Sequence, residues 1–131
     1  MAISTYLGNL DLDARYGSGA PTNTFIALST ANPTADASGL AEPEGASYER
    51  LSVTNNVTNW PAAAGASKEN GVDFTFAAPS GSWGTITHFA IFDAGSGGNM
   101  LDFGELTTPR AIDAASDPVR FAAGALVITR A

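Results

Sequence analysis

Trp83-Gly84-Thr85-Ile86-Thr87-His88-Phe89-Ala90-Ile91-Phe92-Asp93, followed by Ala94-Gly95-Ser96-Gly97-Gly98-Asn99 and a second apolar run from Met100 to Leu106, decides the fold. The first run is rich in aromatic and β-branched residues, which suit a pleated, partly buried surface. Its odd positions carry Trp83, Phe89 and Ile91, and its even positions carry Ile86, Ala90 and Phe92. A strand with two apolar faces is covered on both sides, either in the interior or by a neighbouring subunit. The glycine-rich turn sends the chain back, so the two runs read as a long hairpin at the centre of an all-β domain.

Outward from this hairpin, Val72-Asp73-Phe74-Thr75-Phe76 is the cleanest alternation, with its apolar residues inward and Asp73 and Thr75 outward. Thr24-Phe25-Ile26-Ala27-Leu28-Ser29 is a strand between Pro21 and Asn32-Pro33, and Tyr48–Val53 alternates weakly, as an edge or second-layer strand does. After Leu106 the chain is polar to Pro118, with a short strand around Ala111-Ile112. Val119-Arg120-Phe121 and Ala125–Thr129 follow as short strands kinked at Ala123-Gly124. Residues 30–47 and 55–70 have no periodicity and read as long loops. One helix is expected over Ile3–Tyr16, where Ile3, Tyr6, Leu7, Leu10 and Ala14 fall on one stripe, Ser4 offers a cap and Gly17-Ser18-Gly19 a stop. Its single apolar face is expected to pack on a sheet edge or on a neighbour. The reading is one all-β domain over residues 1–131, an antiparallel β-sandwich of jelly-roll or Ig-like type. It has about seven or eight strands and a short N-terminal helical segment within residues 1–20.

Composition narrows the chemistry. Charged residues make up only 15% of the chain, against about a quarter in ordinary domains, which fits a surface partly covered by partners. A net charge of −7 argues against nucleic acid and against anionic membrane as partners. With no cysteine there is no disulfide, no thiolate nucleophile and no cysteine-based zinc site. No apolar run reaches the ~20 residues of a membrane-spanning helix, and the first residues lack the pattern of a secretory signal.

No catalytic, cofactor-binding or metal-ligating residue emerges. The single histidine, His88, stands inside the central strand without a nucleophile motif beside it. Gly95-Ser96-Gly97-Gly98 lacks the Lys-Ser/Thr of a phosphate loop and is read as turn chemistry. Trp60, Trp83 and Tyr48 raise the alternative of an aromatic platform for sugar. Trp83 is read as a residue that starts a strand and is buried against the helix, whereas Trp60 is either a core plug or a contact residue.

Several segments together resemble a family of small virion structural proteins of tailed bacteriophages. They include Phe25–Thr34, Ser47-Tyr48-Glu49-Arg50, Ala66–Asn70, Ser82–Asp93, Gly97–Leu101, Gly104–Thr107 and Phe121–Leu126, of which the run to Asp93 is the most specific. The resemblance implies a non-enzymatic particle component without cofactors, made in the host cytoplasm and located on the virion. The expected role is capsid decoration: a homotrimer that binds the major capsid protein on the outer surface of the shell and stabilises it. The alternative is a tail or tail-fibre component, with adhesion to host glycan as its role. Partner contacts are expected at Ile3, Tyr6, Leu7, Asn32, Pro33, Leu40 and Trp60, in the N-terminal segment and irregular stretches where such contacts concentrate.

Overall fold

The computed structural model describes residues 3–130. In chain order its elements are α1 (Thr5–Arg15), β1 (Asn23–Ser29), β2 (Leu51–Thr54), β3 (Ser67–Glu69), β4 (Phe74–Thr75), β5 (Gly84–Phe92), β6 (Met100–Ile112), β7 (Arg120–Phe121) and β8 (Val127–Thr129). The fold is mainly β with one short helix. The chain divides into two compact units: the first is Met1–Thr24, Val53–Phe74 and Arg120–Ala131, and the second is Phe25–Ser52 and Thr75–Val119.

The second unit contains the hairpin read from the sequence. In the sheet order β2-β1-β5-β6, β5 runs antiparallel to both of its neighbours. Phe25 pairs with Phe92 and Ser29 with His88, which places Ile26, Ala27, Leu28, Ala90 and Ile91 in full burial at the centre. Both faces of β5 are covered, as its sequence requires. The register slips between Ile86 and His88 and again between Ile91 and Phe92, so strict odd-even alternation fails along this strand. β6 continues through Pro109 to Ile112, well past the expected end at Leu106. Proline is tolerated there because β6 is the last strand of the sheet.

Arg50 organises the irregular parts of this unit. Its guanidinium grips Glu42 with two bonds of 2.9 and 3.0 Å and donates to the carbonyls of Ala94 and Gly97, each at 2.9 Å. Its carbon also sits 3.8 Å above the centre of the Phe92 ring. The Tyr48 hydroxyl donates to Glu42 at 2.8 Å and accepts the Leu28 N–H, and burial pushes the phenol well above its usual range. Trp83 meets Tyr48 edge-on at 5.3 Å and donates its indole N–H to the Ala46 carbonyl. One cation and two rings therefore hold the loop before β2 and the turn after β5, neither of which has a ladder of its own.

In the first unit β3 and β8 pair antiparallel, with Lys68 opposite Ile128. β3 lies within the stretch 55–70 expected to be a loop, because a three-residue strand with lysine at its centre has no apolar alternation. Trp60 is fully buried between Tyr16 at 5.0 Å and Phe74 at 5.3 Å, and its indole N–H donates to Thr24 Oγ1. Side-chain amides stand in for a ladder around it. Asn55 donates to the Arg15 and Pro21 carbonyls and accepts the Gly17 N–H. Asn70 donates to the carbonyls of Val72, Phe121 and Ala122 and accepts the Leu126 N–H at 2.9 Å. Buried backbone groups must be paired wherever the chain is irregular, and these two asparagines supply the partners. The expected strand over Val72–Phe76 is correspondingly short. Phe74 and Phe76 do point inward and Asp73 and Thr75 outward, but only Phe74–Thr75 is strand, paired in a two-stranded sheet with β7.

Replacing Asn70 by Ala removes the amide that bonds the Val72, Phe121 and Ala122 carbonyls and the Leu126 N–H, at a site that is almost fully buried. Urea unfolding is expected to show a loss of about 3 kcal/mol, with the slope of the transition unchanged.

Candidate functional site: a helix with its apolar face outward

Helix α1 forms where the sequence places it. Ser4 caps the start, its Oγ accepting the Leu7 N–H at 3.1 Å, and the Tyr16 N–H closes the last turn on the Leu12 carbonyl. Gly17 then takes φ +94°, a left-handed conformation that glycine adopts without steric cost.

The face this helix turns to its unit is unusual. Each residue advances the helix by about 100°, so Tyr6, Leu7, Leu10 and Ala14 fall within an arc of about 100°, and Ile3 lies just ahead of the Ser4 cap. That arc points to solvent: Tyr6 is 75% exposed, Leu10 53% and Leu7 47%, with Ile3 ahead of it at 39%. The opposite face carries the two buried helical residues, Gly8 and Leu12. A Cβ on Gly8 would lie 2.7 Å from the Ala66 Cβ and 3.0 Å from the Arg130 carbonyl oxygen, so glycine is what lets the helix seat so closely.

Polar residues on the flanks fasten the helix down. Asn9 accepts the Ala66 N–H at 2.8 Å, and Asp13 accepts both the Ala63 N–H at 2.8 Å and the Lys68 ammonium at 2.7 Å. Asp11 accepts from Arg130 at 3.0 Å and has Arg15 one turn along its own helix. The Lys68 side chain is 1% exposed, so its ammonium depends on Asp13 for a counter-charge. The hydrogen bond from Lys68 and the Ala63 N–H together hold the Asp13 carboxyl below its ordinary range, against the opposing effect of burial. Charged and amide groups on the flanks thus meet the body of the unit on either side of buried Gly8 and Leu12, while Tyr6, Leu7 and Leu10 face water. The wider apolar stripe is therefore the one left uncovered, contrary to the usual amphipathic arrangement.

Of the residues expected to meet partners, Tyr6 and Leu7 lie in this stripe, which Leu10 and Ala14 complete, and Ile3 is exposed just ahead of the helix. Asn32 is exposed, Leu40 is half-buried beside Phe92, and Pro33 is buried. Trp60 has no exposed surface; packed between two rings with its N–H bonded, it is a core residue and offers a partner nothing. The aromatic platform does not form either, since Trp60 and Trp83 are both interior and the Tyr48 hydroxyl is already bonded on both sides. His88 is half-buried, with Nδ1 2.8 Å from the Thr87 hydroxyl. A groove lined by Leu40, Glu42, Tyr48, Arg50 and Gly97 has its inner carboxylate saturated by Arg50 and Tyr48. The outer edge of β6 is interrupted by Pro109 and carries Asp102, Glu105 and Arg110, devices that discourage strand addition.

Replacing Asp13 by Asn leaves the Lys68 ammonium inside the unit with no counter-charge. A loss of about 2–4 kcal/mol is expected in denaturant titration at pH 7. Because the folded-state value lies below the ordinary 3.8, this contribution is present above pH 4 and fades as pH falls through the depressed value. The variant should therefore show a flatter stability profile below pH 4 than the parent chain.

Residues 2–129 match the family model described as Podophage GP4 fiber I protein gp80. No curated protein matches the chain.

Proposed function

We propose that the chain, which belongs to this podophage fibre protein family and is therefore a virion structural protein, serves as a subunit of the fibre itself. The outward stripe of α1 supports this reading, because it is a ready-made apolar contact held rigid by the body beneath it. Exposed apolar stripes of this kind mark surfaces that another protein covers. The protein acts by joining neighbours through shape and apolar contact and carries out no bond chemistry of its own. Its one imidazole sits within the sheet, and its most deeply buried charges, Lys68 and Arg50, hold structure together. Addition to glycan or cell-wall substrates should give no turnover above background, and a robust rate would overturn the non-enzymatic reading.

Copy number separates the fibre from the shell. Densitometry of purified particles is expected to show tens of copies or fewer, whereas hundreds would assign the protein to capsid decoration with the major capsid protein as partner. Leu10→Asp should leave the thermal stability of the isolated chain within about 0.5 kcal/mol of the parent, since Leu10 is exposed. The same change should lower the copies recovered per particle at least ten-fold. Undiminished incorporation would remove α1 from the attachment surface.

A further inference from the structure

We infer that the occupant of the α1 stripe is the same stripe of a second copy, the two helices running antiparallel about a two-fold axis near Leu10. This rests on the stripe being an attachment surface, as proposed above, and names what attaches.

Size and charge along the stripe make the case. Its N-terminal end carries the bulky Tyr6 and Leu7, and its C-terminal end carries Ala14, which is exposed and small. An antiparallel pair sets the large end of each helix against the small end of the other, with Leu10 meeting Leu10 at the middle. A parallel pair would crowd two tyrosines at one end and leave a gap between two alanines at the other, a poorer packing in both places. A patch with both halves of the fit on one surface is self-complementary, which is the requirement for an isologous contact.

The charges agree. Asp11 and Asp13 flank the C-terminal half of the stripe, whereas no acidic residue lies in the first turn. Running antiparallel brings the positive N-terminal end of one helix dipole beside those carboxylates of the other and keeps the four carboxylates apart. Both aspartates are already held by cations of their own chain, Arg130 and Lys68, so pairing does not strand them. The exposed stripe amounts to on the order of 400 Å², inside the range of large functional patches but below the ~800 Å² per partner of a free-standing stable complex. The pair is therefore weak when dilute and becomes firm where an assembled particle holds copies close together.

The cysteine-free chain makes the test direct. Single variants Leu10→Cys, Tyr6→Cys and Ala14→Cys, all at exposed positions, are oxidised at about 100 μM and resolved on non-reducing gels. Leu10→Cys is expected to give mostly disulfide dimer. Tyr6→Cys and Ala14→Cys should each stay monomeric alone and give the mixed dimer when combined. Self-linking by all three variants would show a parallel or three-fold arrangement and overturn the pairing, as would linking by none. If no variant links yet Leu10→Asp still abolishes incorporation into particles, the attachment surface stands and only its occupant is wrong. If incorporation is also unaffected, the attachment reading fails independently.

Discussion

The ion pair between Asp13 and the buried ammonium of Lys68 is the contact on which the orientation of α1 depends. A lysine on the inner side of a three-residue strand has no low-energy state unless a carboxylate reaches it, and Asp13 is the one that does. Once that contact is made, Asn9 and Asp11 fall beside backbone N–H of Ala66 and the Arg130 guanidinium, and Gly8 removes the side chain that would hold the helix away. The apolar stripe is then on the far side by geometry alone. It is the consequence of where the polar groups find partners.

That arrangement costs the isolated chain something, because several large apolar side chains stay in water that could have been buried. The cost becomes a gain wherever a neighbour covers them, as in the fibre role proposed above. The second unit shows the complementary solution. There the awkward residue is Arg50, and a carboxylate, two carbonyls and an aromatic face gather around it to hold loops that no strand pairs. In both units a buried cation specifies the conformation of irregular chain.

Membership of a podophage fibre family and a helix whose wider apolar stripe is uncovered are consistent with one way of working. Rigid presentation of a modest apolar surface makes a weak contact in solution and a strong one in an array, since each further contact is made at high local concentration. In the proposed attachment, specificity comes from the shape and charge of the stripe, and strength comes from repetition.

Much was legible from residue pattern. The run from Trp83 to Asp93 placed the central strand, the glycine-rich turn placed the hairpin, and Val72–Phe76 told correctly which side chains point inward although little of it is strand. The periodicity from Ile3 to Ala14 located the helix and its stripe, because i, i+3 and i+4 spacing is a property of neighbouring residues. It left open whether a sheet or another chain covers that stripe. Partners far away in sequence turned the stripe away from the body of its unit: Lys68 lies 55 positions from Asp13 and Arg130 lies 119 from Asp11. Trp60 is the same lesson in reverse, a residue suited to either core or contact that Tyr16, Phe74 and Thr24 close over completely. Local order determined which segments are regular and which residues share a face. Only the folded chain determined which way that face looks, because the choice is made by ion pairs and close approaches between segments that sequence distance conceals.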